Sequence, residues 1–210
     1  MNNVTDRFAS ALDRRDQGPN EAIAEEIARG ATPDLLRDVT KVLESKANTR
    51  LKNDAVMVMM ALSRIAPHFL EDHFDLLMKV LRSSSNRQVF GSMIALANLA
   101  PLKRRELRGH IPMILKAMDQ GTVVTRDHGF TILTELYKED QSGDLLSLIN
   151  EQILKAPPNQ LGQYTEKFMI VVRPGDIPAL IEALEARAGE LTNEHHLKRL
   201  GKNLKKLQQG

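Results

Sequence analysis

Several residue types that carry chemistry in other proteins are missing from this sequence or scarce in it. Its 210 residues include no cysteine and no tryptophan, and aromatic residues make up only 4%. The absence of cysteine excludes disulfides, thiolate metal sites and cysteine nucleophiles. The scarcity of aromatic residues predicts an aliphatic core, and it disfavours functions that depend on stacking against nucleic-acid bases.

Long apolar segments and a strong charge imbalance are also missing. The longest apolar run, residues 55–62, is much shorter than the roughly 20 residues of a membrane-spanning helix. The N-terminal segment lacks an apolar stretch of signal-peptide length. We therefore expect no membrane partner and, by default, a cytoplasmic location. The formal net charge of +2 gives no case for nucleic-acid or membrane binding by the chain as a whole.

A nearly duplicated nonapeptide is the most informative feature of the sequence. MMALSRIAP occupies residues 59–67, and MIALANLAP occupies residues 93–101. Three columns of residues, lying four, three and seven positions before the apolar residue that precedes Ala-Pro, define one face of an α-helix. That apolar residue, the anchor, recurs at steps of 34, 37, 36 and 35 residues, as Ile65, Leu99, Leu136, Val172 and Leu207.

A second amphipathic segment precedes each of these helices. The five segments begin at residues 33, 73, 110, 144 and 176, and a short polar turn joins each one to the helix that follows. Short turns place the two helices of a pair antiparallel to each other. Because one helical hairpin cannot bury its own apolar faces, the sequence predicts a continuous core made by stacked hairpins.

Helix pairs of 34 to 37 residues, with A-L-x-x-[IL]-A-P closing the second helix, resemble the HEAT/armadillo class of α-solenoids. The resemblance implies an all-α fold, a right-handed α-α superhelix of about five to six helical hairpins, and a single domain over 1–210. An N-terminal capping helix pair would occupy 1–31, and repeats would span 33–67, 68–101, 102–138, 141–174 and 175–207. The third repeat departs from the motif, because Lys138 stands where proline is expected.

No constellation of residues indicates catalysis or a bound metal, so we expect no enzyme activity and no cofactor. The densest group, HFLEDHFD at residues 68–75, places His68 and His73 five residues apart. Zinc-binding helices instead use spacings of three or four, which bring both ligands to one face. The segment is better explained as the solvated start of a helix, with Asp72 as its N-cap.

The resemblance also implies where a partner would bind, because the second helices of such solenoids line the concave face. We predict a non-enzymatic scaffold that binds a peptide or a helix of another protein on this face. The alternative is that its methionine and isoleucine side chains pack on the neighbouring repeat. The candidate partner-binding residues are Met57, Met60, Arg64, Ile94, Asn98, Glu135 and Tyr164.

Two basic clusters keep a nucleic-acid alternative open. Such clusters are either solvated surface or docking patches for an acidic partner or a phosphate backbone. The HEAT-like alkylpurine DNA glycosylases are similar in length, but they use Trp and Tyr around the damaged nucleotide with a catalytic Asp, and none of those motifs carries over to this chain. The clusters are Lys103, Arg104, Arg105 and Arg108, and Lys198, Arg199, Lys202, Lys205 and Lys206.

Overall fold

Helices account for all the regular secondary structure in the computed structural model, which describes residues 3–30, 32, 34–140 and 143–209. Within these residues there are twelve α-helices, three short 3-10 helices and no strand. The prediction of an all-α protein is therefore confirmed. None of the described helices is long and apolar enough to cross a membrane.

The helix bounds follow the predicted pairs. The chain starts with a 3-10 helix at Val4–Arg7 and α1 at Gly18–Ala28. The first helices of the five pairs are α2 (Leu35–Glu44), α4 (Phe74–Val80), α7 (Ile111–Gln120), α9 (Asp144–Lys155) and α11 (Ile177–Ala188). The second helices are α3 (Thr49–Ile65), α5 (Asn86–Leu99), α8 (Val123–Tyr137), α10 (Pro158–Met169) and α12 (Glu194–Gln209). The connections between pairs contain 3-10 helices at Pro67–His73 and Pro174–Asp176 and the short α6 at Arg104–Arg108.

The chain divides into two compact units, unit 1 (Met1–Gly129) and unit 2 (Phe130–Gly210). Within unit 1, α1, α2 and α5 pack on α3, and α4 packs on α5. Within unit 2, α10 packs on α12, while α11 packs on both α9 and α12. The predicted repeat boundaries and the single-domain organisation stay predictions.

Two local features differ from what the sequence suggests. Only the second member of the N-terminal pair is an α-helix, because turns separate the four-residue 3-10 helix from α1. Asp72 is not an N-cap, since it lies inside the 3-10 helix Pro67–His73 and α4 begins after His73 without a side-chain cap. Proline at the first position of that 3-10 helix starts the new helix earlier than expected.

The predicted packing columns lie mostly in the core. The Leu62, Leu96 and Leu133 side chains are all fully buried. The anchor column is different, because Leu99 is fully buried whereas Ile65 is 54% exposed. Ile65 is the last residue of α3, and the chain leaves the helix there, so no neighbouring turn covers its side chain.

The centre of α3 is buried on every side. All ten residues from Asp54 to Ser63 are buried, and the segment is apolar except at its two ends. A helix that is apolar all around belongs to a core and not to a surface. The helices that pack against α3, namely α1, α2 and α5, account for this burial.

A hydrogen-bonded cluster in unit 2 joins the end of α8 to the turn before α11. The hydroxyl of the fully buried Tyr137 donates to Oδ2 of Asp176 at 2.5 Å and accepts from the backbone N–H of Arg173 at 3.1 Å. The guanidinium of Arg173 lies 4.4 Å from the Tyr137 ring centroid and contacts Asp176 at 2.8 Å. Desolvation raises the pKa of Tyr137, and the hydrogen bond from Tyr137, helped by Arg173, holds the pKa of Asp176 below its usual range.

This cluster predicts a specific pH dependence of stability. A carboxyl group with a depressed folded-state pKa stabilises the fold fully above its unfolded pKa, about 3.9 for Asp, and loses that contribution as the pH falls through the folded value. We expect Asp176→Asn to be less stable than the parent at neutral pH and to lose less stability between neutral pH and strong acid. Urea denaturation across that range measures both effects. The exposed Asp119→Asn is the control, and parallel pH profiles for Asp176→Asn and the parent would contradict the prediction.

Candidate functional site

The segment between the first 3-10 helix and α1 is tied down by a buried polar network. The side chain of Asn20 accepts from the backbone N–H of Ala9 at 3.1 Å and donates to Oδ1 of Asp54 at 3.0 Å. The other oxygen of Asp54 accepts from the backbone N–H of Ser10 at 3.2 Å. Asn20 and Asp54 are both buried. The network therefore fixes residues 9 and 10 against α1 and α3.

A second network joins the second turn of α3 to the start of α5. Oδ1 of Asn53 accepts from Oγ of Ser85 at 2.8 Å and from Nε2 of Gln88 at 3.0 Å. Oε1 of Gln88 accepts from Oγ of Ser83 at 2.7 Å. Both lone pairs of the Asn53 amide oxygen are then used. Its NH2 group, which takes no part in these bonds, can donate to a ligand.

A pocket of about 240 Å³ lies where these two networks meet. Its wall includes Asn53 and Asp54, and four arginines also line it: Arg14, Arg15, Arg50 and Arg87. We call these four residues and the space between them the arginine pocket. All of its residues belong to unit 1.

Nearby carboxylates neutralise only part of the positive charge of the four arginines. Arg14 forms a bidentate pair with Asp16, at 2.8 and 3.0 Å, which holds the pKa of the Asp16 carboxyl below its usual range. Arg50 lies 4.0 Å from Asp13, a loose and exposed pair. Asp54 already accepts one hydrogen bond at each oxygen.

The remaining two arginines, Arg15 and Arg87, are exposed and form no salt bridge with any residue that the structure describes. Their guanidinium groups can therefore bind an external anion without first breaking an ion pair. Arg50 adds a third guanidinium that is only loosely held.

The positions of Arg50 and Arg87 are unfavourable for the helices that carry them. Each is the second residue of its helix, and the first turns of α3 and α5 contain no acidic residue. A cation near a helix N-terminus opposes the helix dipole, at a cost of a few tenths of a kcal/mol to about 1 kcal/mol. Local preferences are broken in this way most often at functional sites. An arginine at the second position of each of these two helices is the sequence feature by which the site could have been found.

The candidate partner-binding residues do not form an exposed stripe. Met57, Met60, Ile94 and Tyr164 are only 5%, 5%, 4% and 2% exposed, so the prediction that they form an accessible apolar surface is wrong. Met57 packs toward α5, where its sulfur lies 3.8 Å from the position of a Cβ on Gly91. The Tyr164 ring stacks on Phe130 with centroids 4.3 Å apart. The alternative, in which Met57, Met60 and Ile94 pack on a neighbouring helix, agrees with this burial.

The other three candidates are polar and at least partly accessible. Arg64 is exposed, Asn98 is half-buried and donates to Oγ of Ser63 at 2.9 Å, and Glu135 is half-buried beside Lys138. Arg64 and Asn98 belong to unit 1, and Glu135 belongs to unit 2. Their role in binding a partner stays a prediction.

The first basic cluster surrounds the short α6 in unit 1. Lys103 pairs with Glu106 at 3.2 Å, and the Leu107 side chain of α6 is fully buried. Arg105 and Arg108 are exposed, whereas Lys103 and Arg104 are half-buried. The cluster is therefore partly neutralised by its own glutamate.

The second basic cluster lies on α12 in unit 2. Arg199 is neutralised by a bidentate pair with Glu166, at 2.8 and 2.6 Å, which holds the pKa of Glu166 below its usual range. Gly162 makes room for this pair, because a Cβ there would lie 2.5 Å from Cδ of Arg199. The cluster's other members remain exposed: Lys198, Lys202, Lys205 and Lys206.

Neither the histidine-rich segment nor any other part of the described chain brings three His, Asp or Glu side chains together as a metal site. His68 and Asp72 are exposed, and His73 is half-buried at the start of α4. These residues are accounted for by the 3-10 helix that contains them.

Comparison with known proteins adds information about the fold. No model of a protein family matches the sequence, and no curated protein matches it. The chain is similar in structure to an engineered protein solved by crystallography, with a TM-score of 0.62 and 15% sequence identity. The similarity covers 99% of this chain and 98% of the engineered protein. At this identity the similarity concerns the fold alone.

Proposed function

We propose that the chain is a helical-repeat protein of the HEAT/armadillo type, with the right-handed superhelical stacking of that class, and that it binds another protein without catalysing a reaction. Side-chain hydrogen bonds between residues about one repeat apart support this proposal, since neighbouring hairpins in a stack meet at that separation. The bonded pairs are Asn20–Asp54, Gln88–Asn53, Asn98–Ser63, Lys167–Thr131 and Arg199–Glu166, which are 34, 35, 35, 36 and 33 residues apart. A cytoplasmic location stays a prediction.

The proposed binding site is the arginine pocket, with an acidic segment of another protein as its ligand. The main observation behind this choice is that four arginines line one small pocket, two of them without a salt bridge among the described residues. Guanidinium groups bind carboxylates through two parallel hydrogen bonds, and arginine is enriched at the centres of protein interfaces. The buried Met57, Met60 and Ile94 side chains are not part of this site.

Affinity capture from a cell lysate treated with nuclease tests the proposal. We expect the parent chain to retain protein partners after nuclease treatment, and we expect the double variant Arg50→Glu with Arg87→Glu to retain at least about tenfold less of them, since an arginine hot spot is worth 2 kcal/mol or more.

The matched control carries the same change of charge elsewhere on unit 1. Arg64→Glu with Arg105→Glu alters two exposed arginines outside the pocket and should leave capture unchanged. All three proteins should have the same far-ultraviolet circular dichroism. Equal loss in both double variants would mean that overall charge, and not the pocket, determines binding.

Nucleic-acid binding is the second candidate, and the exposed lysines of α12 favour it. Lys198, Lys202 and Lys205 could contact phosphates without base specificity. Stacking on bases is disfavoured, because the chain has no tryptophan and its two tyrosines, Tyr137 and Tyr164, are buried. Loss of all captured protein on nuclease treatment would support this candidate in place of the first.

A further inference from the structure

We infer that the arginine pocket binds a phosphate monoester, the phosphorylated serine or threonine of a partner segment; this inference rests on the proposed function. All four cationic residues that line the pocket are arginines. A guanidinium is planar and presents donors in a rigid fork that matches phosphate oxygens, whereas a lysine ammonium acts as a point charge. A pocket built for general attraction of acidic chains would not need this restriction to one residue type.

The size of the pocket favours a single anionic group. Sites for drug-sized ligands occupy roughly 300–1,000 Å³, and this pocket occupies about 240 Å³. It can hold the phosphorylated end of one side chain, while the rest of the partner segment would lie outside.

The number of available donors favours phosphate over carboxylate. Arg15 and Arg87 are without a salt bridge among the described residues, Arg50 is held only at 4.0 Å, and the Asn53 NH2 group is a further donor. A carboxylate offers two oxygens and one charge, which three guanidinium groups exceed. A phosphate monoester offers three acceptor oxygens and a charge of about −1.5 to −2 at neutral pH.

The arginine pocket, lined by four arginines, keeps a net positive charge despite the one negative charge of Asp54. Its two oxygens point into hydrogen bonds with the Ser10 backbone and the Asn20 side chain, so Asp54 fastens the wall of the pocket. Among the four arginines, Asp16 pairs with Arg14 alone. The ligand's charge is therefore met mainly by Arg15, Arg50 and Arg87.

A nucleic-acid backbone fits the pocket less well. It presents a row of singly charged phosphodiesters, so a protein that binds it needs cations along a path. The four arginines of the arginine pocket instead line one space of about 240 Å³. A phosphorylated protein segment is the ligand that matches one small site of high charge.

Nuclear magnetic resonance of the full, isotope-labelled chain tests the inference. The probes are inorganic phosphate and short blocked peptides that contain phosphoserine, serine or glutamate. We expect phosphoserine to shift the Nε–H signals of Arg15, Arg50 and Arg87 saturably, with a dissociation constant in the millimolar range or below, and inorganic phosphate to shift the same signals. The serine peptide should shift none of them, and the glutamate peptide should bind several-fold more weakly.

Matched single substitutions make the test specific. Arg50→Gln and Arg87→Gln should each weaken phosphoserine binding about tenfold, the value of one charge-assisted hydrogen bond. Arg64→Gln removes one exposed charge from the same helix as Arg50 and should bind like the parent. Thermal unfolding of each variant verifies that it is folded.

Three outcomes would overturn the inference. Binding that is unchanged in folded Arg50→Gln and Arg87→Gln, or shifts that include Arg64 equally, would show only diffuse attraction of anions. A short DNA duplex that shifts the pocket signals at lower concentration than the phosphoserine peptide would assign the site to nucleic acid. Lysate capture that depends on Arg50 and Arg87 but survives phosphatase treatment would leave the proposed function intact and remove the phosphate.

Discussion

Replacing Leu96 with alanine will lower the free energy of unfolding by about 2–5 kcal/mol, the range measured for buried leucines. Leu96 is fully buried in α5, which packs on both α3 and α4, so the truncation leaves a cavity between helices that cannot easily close. Leu62→Ala, at the equivalent position of the preceding repeat, should have an effect in the same range. Chemical denaturation followed by circular dichroism measures both losses.

The control for this prediction comes from the repeat itself. Ile65 stands in the anchor column with Leu99, yet its side chain is 54% exposed, so Ile65→Ala should change the free energy of unfolding by no more than about 0.5 kcal/mol. A stability of Leu96→Ala within that same margin of the parent would contradict the assignment of the column to the core.

Replacing Asp54 with alanine will destabilise unit 1 by about 1–3 kcal/mol for each donor that it leaves without a partner. Those donors are the Ser10 backbone N–H and the Nδ2 group of Asn20, and Asn20 is fully buried. Asp54→Asn should recover only part of the loss, because its NH2 group must face one of the two donors. Chemical denaturation measures the losses, and the exposed Asp119→Ala should lie near the parent.

The same substitution should also loosen the arginine pocket. Asp54 accepts from the Ser10 backbone and holds Asn20, which in turn accepts from the Ala9 backbone, and the segment that follows contains Arg14 and Arg15. In folded Asp54→Ala we expect broader or shifted Nε–H signals for these two arginines, with the signal of Arg64 unchanged. Unaltered Arg14 and Arg15 signals would mean that the network stabilises the unit without positioning the pocket.

The helices could be predicted from the sequence because helical periodicity is local. Val58 and Leu62 are four residues apart, a spacing that any helix brings to one face, and both are buried, as is Leu96 at the equivalent position of the next repeat. The positions of the turns between paired helices could also be predicted to within a few residues, since polar residues and prolines mark them. The repeat was therefore sufficient to predict the all-α fold and the pairing of helices.

Exposure of the opposite face could not be predicted in this way. Periodicity shows that Met57 and Met60 point away from the column of Val58 and Leu62, but it does not show whether another helix covers them. In unit 1 the surrounding helices bury the centre of α3. The same limitation applies to Ile65, whose helix ends at that residue.

The helical class, the helix pairs and most of the core could be predicted from the amino-acid pattern, because each depends on residues that are close along the chain. Only the tertiary structure brought Arg15, Arg50 and Arg87 to one pocket, since these residues lie 35 or more positions apart and meet through the packing of α1, α3 and α5. A site built from distant residues leaves no periodic pattern. It exists only once the polar networks around Asp54 and Asn53 hold its walls together.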